Sequence, residues 1–149
     1  MMKVYVSSDH GGFDLKNKVV EHLGGKYEVV DVGPKTLDPK DDYPVYTEPL
    51  AKKVSEEKDS MGILICRNGV GVSIAANKFD NVRCGLSFDP KHVKSARNDD
   101  NINVLALPSD FMDEETALKI VDTFLETPFG AEDRYIRRLA EITELEEKS

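Results

Sequence analysis

Short apolar runs alternate with amphipathic helical patterns along nearly the whole chain, and this confines the fold to a parallel sheet with helices on both faces. Lys3 to Ser7 (KVYVS) is the first strand. Phe13 to Leu23 (FDLKNKVVEHL) spaces Phe13, Leu15, Val19, Val20 and Leu23 as a helix does, and Gly24-Gly25 stops it. Tyr27 to Val32 (YEVVDV) is the next strand. Gly33 to Pro44 carries three prolines and several charges, so it reads as a surface loop of the kind that often carries function. A helix follows over Tyr46 to Glu57. Met61 to Cys66 (MGILIC) is continuously apolar, as a central strand covered on both faces must be.

The second half repeats the pattern. A glycine turn leads to a helix over Ser73 to Lys78, then to a strand over Val82 to Phe88 (VRCGLSF). Asp89 is placed to cap the next helix, with Pro90 at its first position, where a missing N–H costs nothing. That helix should end near Asn98. Ile102 to Leu107 (INVLAL) is a fifth strand, Asp113 to Glu126 a long amphipathic helix, and Asp133 to Glu147 a final charged one. The expected fold is α/β, one domain over residues 1–149 with a five-stranded parallel sheet and no internal repeat.

Composition narrows the function classes. A formal charge of -8 and a pI near 4.9 exclude general nucleic-acid binding, which draws on clustered Lys and Arg. No window approaches the roughly 18 apolar residues of a membrane span. The first ten residues enter a strand pattern directly, without the basic and apolar stretches of an export signal, so a cytoplasmic location is expected. Cys66 and Cys84 lie outside any C-x-x-C or zinc-like grouping, so neither disulfide, metal nor cofactor is called for. An anionic ligand would need a local basic pocket, and Arg134, Arg137 and Arg138 cluster near the C-terminus; a solvated helix face explains that cluster equally well.

In an open parallel sheet, ligands bind beyond the carboxyl ends of the strands. Three segments there are chemically unusual: Ser8-Asp9-His10-Gly11-Gly12, Cys66-Arg67-Asn68-Gly69-Val70-Gly71 and, after the fourth helix, Asn98-Asp99-Asp100-Asn101, and they are expected to converge on one edge. Cys66 ends a buried strand just before a helix N-terminus, where negative charge is stabilised and a thiolate could take a proton from carbon. Position alone favours a small buried hydrophobe, which is also the reading adopted for Cys84 among Val82, Leu86 and Phe88. The Gly69-Val70-Gly71 turn can aim backbone N–H groups at a phosphate or an enediolate oxygen, yet it lacks the spacing of a dinucleotide motif or a P-loop. Asp9 and His10 could contact a sugar hydroxyl and a phosphate, or Asp9 could simply cap the first helix. His22 and His92 read as surface or packing residues.

Taken together, Ser8-Asp9-His10-Gly11-Gly12-Phe13, Asp42-Tyr43-Pro44, Gly62 to Cys66, Gly69 to Lys78 and Asn103-Val104-Leu105-Ala106 resemble, in order, the motifs of the ribose-5-phosphate isomerase B and galactose-6-phosphate isomerase family. The resemblance runs from about Val4 into the final helix. It implies a Rossmann-like three-layer domain and a metal-free, cofactor-free aldose-ketose isomerase. Such an enzyme is a homodimer or homotetramer with its site between subunits. Cys66 would be the base, moving a proton between C2 and C1 through a cis-enediolate. Backbone N–H groups from Arg67 through Asn68, Gly69 and Val70 to Gly71 would hold the oxyanion, and Asp9 a hydroxyl. His10, Arg134 and Arg138 would face the phosphate, some reaching across the dimer.

Six positions depart from the family pattern. Arg67 and Asn68 replace a glycine and a threonine beside the cysteine; Asp99 stands for the ring-opening histidine and Asp100 for the asparagine after it. Asp110 stands for a phosphate-binding arginine, and Tyr135 for a histidine. Either a carboxyl group at Asp99 would then do the acid-base work or the ring would open unaided, and Arg67 would restore the lost charge or pair with Asp99, Asp100 or Asp110. Ribose 5-phosphate and ribulose 5-phosphate are the default pair. The alternatives are a six-carbon sugar phosphate, a non-catalytic or partner-dependent subunit, and, last, a phospho-accepting module, whose third strand would need an aspartate where this chain has Cys66.

Overall fold

The computed structural model describes residues 1–149. Five strands, β1 (Lys3–Ser8), β2 (Glu28–Asp31), β3 (Met61–Cys66), β4 (Cys84–Leu86) and β5 (Val104–Pro108), form one all-parallel sheet in the order β2-β1-β3-β5-β4. Helices α1 (Phe13–Leu23), α4 (Pro90–Asp100) and α5 (Glu114–Glu126) cover one face, and α2 (Tyr43–Glu56) and α3 (Val70–Ala76) the other. The α/β, five-stranded expectation holds. Strand β3 is buried at all six residues, as its unbroken apolar run requires. The chain leaves β1 toward β2 on one side and toward β3 on the other, so a topological switch lies between β1 and β3, with Ser8–Gly12 and Cys66–Gly71 at its mouth.

Several boundaries differ from the sequence reading for local reasons. Helix α2 starts at Tyr43, inside the segment read as loop, because a proline is tolerated in a first turn, and it continues through Pro49. Helix α3 starts at Val70 rather than Ser73. Gly69, at φ 74°, turns the chain in a single residue, and a Cβ there would also meet Leu86 Cδ1 at 2.9 Å. Strand β4 is only three residues long because it is an edge strand paired with β5 alone, and Phe88, expected in the core beside Cys84, is 57% exposed. Asp89 occupies the N-cap of α4, but its side chain makes no cap bond.

The last helix, α6 (Asp133–Lys148), stands apart from the sheet and packs on α4, leaving Ile136, Ile142 and Leu145 exposed. No helix is long and apolar enough to cross a membrane.

Candidate active site

Cys66 closes β3 with its side chain among those of the α2–α3 layer, and only 4% of it is exposed. Its Sγ lies 3.9 Å from Asn68 Oδ1, and the same oxygen accepts the Val70 N–H at 3.0 Å. Asn68 therefore answers one of the backbone donors that the sequence reading assigned to an oxyanion. A ligand oxygen arriving there must displace the amide. Tyr43, at the start of α2, lays its ring where a side chain on Gly71 would stand.

Three loops are stitched around this turn. Ser109, in the 3-10 turn after β5, donates through Oγ to Gly11 O at 2.8 Å and lies 3.2 Å from Cys66 O. Asp110 N–H donates to Arg67 O at 2.9 Å. Above them Arg67 Nη1 sits 3.4 Å from both Asp110 carboxylate oxygens, in a pair whose side chains are 59% and 45% exposed. Of the partners considered for Arg67, Asp110 is the one it takes. The Arg67 stem crosses Gly11, where a Cβ would collide with Arg67 Cγ.

Asp9 is buried and accepts the Gly12 N–H at 3.2 Å, capping the 3-10 turn His10–Gly12 that leads into α1. His10 is held by Asp41, a residue the sequence reading did not single out. Asp41 Oδ1 accepts the His10 N–H at 3.1 Å and lies 2.7 Å from Nδ1. Asp9, His10 and Asp41 bring one potential metal-donor atom each within 4.8 Å of one another, and of their donors Asp9 Oδ1 is bonded to the Gly12 N–H and Asp41 Oδ1 to His10.

The remaining predicted residues lie elsewhere. Because α4 returns the chain to the start of β5, Asn98 to Asn101 stand at the amino edge of the sheet, opposite Cys66, so the expected convergence of three segments within one chain is wrong. Asp99 and Asp100 are in the last turn of α4, which runs past Asn98 and is closed by Asn101 at φ 48°. Gly130 N–H donates to Asn98 O at 2.9 Å, and Asn81 N–H to Glu146 Oε1 at 3.0 Å, so α6 also lies along this edge. Arg134 bonds Glu132 at 3.1 Å and Tyr135 OH at 3.0 Å, and Arg138 is exposed. One edge thus carries Asp9, His10 and Cys66 to Gly71, and the other Asp99, Asp100, Arg134 and Arg138.

The two cysteines differ in setting. Cys84, at the amino end of β4, has its thiol pushed up to about 12 by burial, only partly offset by a hydrogen bond with Ser73. His22 meets Asp122 at 2.8 Å and His92 meets Ser87 at 2.9 Å, packing roles as expected.

Residues 4–142 match the family model described as Ribose/Galactose Isomerase. The chain belongs to the ribose/galactose isomerase family. A probable ribose-5-phosphate isomerase B of Mycoplasma pneumoniae is 44% identical over 140 residues, covering 93% of this chain and 91% of the relative. Among solved structures, ribose-5-phosphate isomerase B of Mycoplasma genitalium with bound ribulose-5-phosphate superposes with a TM-score of 0.96 at 41% identity, covering 99% of this chain and 98% of that one. That of Clostridium thermocellum gives 0.94 at 35% identity, covering 99% of each chain. The Rossmann-like, three-layer architecture expected for an isomerase of this family is the one observed.

Proposed function

We propose that the chain interconverts ribose 5-phosphate and ribulose 5-phosphate, with no metal or cofactor. The observation that carries this reading is a cysteine at the carboxyl end of the central strand, under a glycine turn, in a chain superposing on a relative solved with ribulose-5-phosphate. The Cys66 thiolate takes the proton from C2 of the open-chain aldose. The electron pair left behind forms the C1–C2 double bond of the cis-enediolate as the C1 carbonyl pair moves onto O1, and the thiol returns its proton to C1 while the C2 hydroxyl proton passes to O1, leaving the carbonyl at C2. Gly69 and Gly71 let backbone N–H groups approach the developing oxyanion, with Asn68 yielding its bond to Val70 as the substrate enters. Asp9 takes a sugar hydroxyl and His10 the phosphate end.

The homodimer belongs to the same proposal. Within one chain the two groups of site residues occupy opposite edges of the sheet, so Asp99, Asp100, Arg134 and Arg138 serve Cys66 only if a second copy brings its amino edge to the first copy's carboxyl edge. A two-fold axis does this reciprocally and creates two equal sites. The exposed Ile136, Ile142 and Leu145 of α6 and Val70 and Ile74 of α3 offer apolar surface for that contact. Asp99 from the partner then assists ring opening, and the two arginines bind phosphate with a charge no residue near Cys66 offers unpaired. A cytoplasmic place in pentose phosphate metabolism accompanies this substrate, in keeping with two free cysteines.

The test is isomerisation of ribose 5-phosphate by the purified chain, beside allose and galactose phosphates and unphosphorylated sugars, with Cys66→Ala as control. Turnover of ribose 5-phosphate that disappears in the variant supports the reading. Turnover of a six-carbon phosphate alone moves the substrate, and silence on the whole panel moves the reading to a partner-dependent subunit.

A further inference from the structure

Three aspartates crowd the loop between β2 and α2, and the structure gives each a different task. Asp38 caps its own loop, accepting the Lys40 N–H at 3.0 Å through Oδ1. Asp42 sits at the N-cap of α2 with no side-chain bond there. Asp41 turns away from the loop. Its side chain is 4% exposed, its Oδ1 takes both bonds to His10, and its Oδ2 is buried without any partner. Leaving a carboxylate oxygen so placed is costly, and His10 is the only side chain that Asp41 engages.

A carboxylate has no proton to give, so the 2.7 Å contact requires the hydrogen to reside on His10 Nδ1. The second bond, to the His10 backbone N–H, fixes the ring's anchor as well as its nitrogen. Nε2 is then the one ring nitrogen left for a ligand. The His10 side chain is 25% exposed, and the next residue, Gly11, lies under the Arg67 stem just past Cys66. We propose that Asp41 is a positioning residue for the isomerase reaction: it holds His10 as the Nδ1–H form and turns Nε2 toward the substrate. The inference rests on the proposed isomerase reading for its kinetic consequence, and on the geometry alone for the state of the ring.

The experiment has two readouts. In the first, nitrogen-15 NMR of the histidine rings in the full-length protein, assigned with His10→Ala, should show His10 protonated at Nδ1, and Asp41→Ala should abolish that preference. A His10 ring protonated at Nε2 alone, or one unchanged by Asp41→Ala, overturns the proposal whatever the enzyme turns over. In the second, Asp41→Ala should raise KM for ribose 5-phosphate roughly tenfold with kcat much less affected, and Asp41→Asn, which keeps the shape and stands in if the alanine variant does not fold, should do so less strongly. Combined with His10→Ala, either substitution should add less than about twofold, because its effect passes through the ring. Equal losses with and without His10 identify a mere loop staple and refute the positioning role. Failure of the wild type to turn over ribose 5-phosphate would refute the substrate reading and leave the decision to the NMR result.

Discussion

Arg67 and Arg97 put the same guanidinium at the two edges of one sheet and use it in opposite ways. At the amino edge Arg97 is 7% exposed and donates to Thr127 O at 3.0 Å, Asn101 Oδ1 at 2.8 Å and Ile102 O at 2.6 Å, with its charge 6.0 Å over the Phe124 ring. Those bonds hold the turn from α4 into β5 and the exit from α5. Burial and the nearby Arg83 both work against its proton, so its location is justified only by the carbonyls it satisfies. Arg67 at the carboxyl edge keeps most of its side chain in water and touches Asp110 loosely. One is spent on structure, whereas the other remains free to exchange its partner for an anion.

The sharpest break in this comparison is chemical. Cys66→Ala should lower kcat by about a thousandfold, the scale of a lost general base, with little change in melting temperature. Next comes Arg97→Ala, which strands the Thr127 and Ile102 carbonyls and should cost about 3 kcal/mol in denaturant unfolding. Arg67→Gly should do the reverse, changing stability by less than about 1 kcal/mol because its pair is exposed, while raising KM several-fold (roughly 3- to 10-fold). Unchanged affinity and turnover in that variant would remove Arg67 from the substrate site. The smallest effect belongs to Cys84→Ala, with turnover within about twofold of wild type. Its thiol, raised to about 12, should also resist alkylation at pH 8, where an ordinary thiol is partly ionised.

Much of this was legible in the sequence because periodicity is a local property. The β3 and α1 boundaries were read correctly to the residue, since MGILIC admits no reading but a doubly covered strand and Gly24-Gly25 ends the helix. The early start of α2 was hidden by Pro44, which breaks a helix interior but not a first turn. Phe88 misled because alternation continues past the end of pairing on an edge strand. The site was harder. Asp9 and His10 follow β1 directly and Cys66 ends β3, so topology announces them, but Asp41 and Ser109 act across 31 and 98 residues of sequence and carry no motif. The misplacement of Asn98 to Asn101 has a simpler cause: they end a helix, and a helix between parallel strands delivers its end to the opposite edge.

The proposed site is shared between two copies, and mixing two inactive variants tests this most directly. Cys66→Ala lacks the base at the carboxyl edge; Arg134→Ala/Arg138→Ala lacks the phosphate ligands at the amino edge. Equal amounts unfolded and refolded together should regain roughly a quarter of wild-type turnover of ribose 5-phosphate, because half of the dimers are mixed and each mixed dimer holds one intact site. No activity above that of the separate variants, with mixed dimers demonstrably formed, would contradict the shared site.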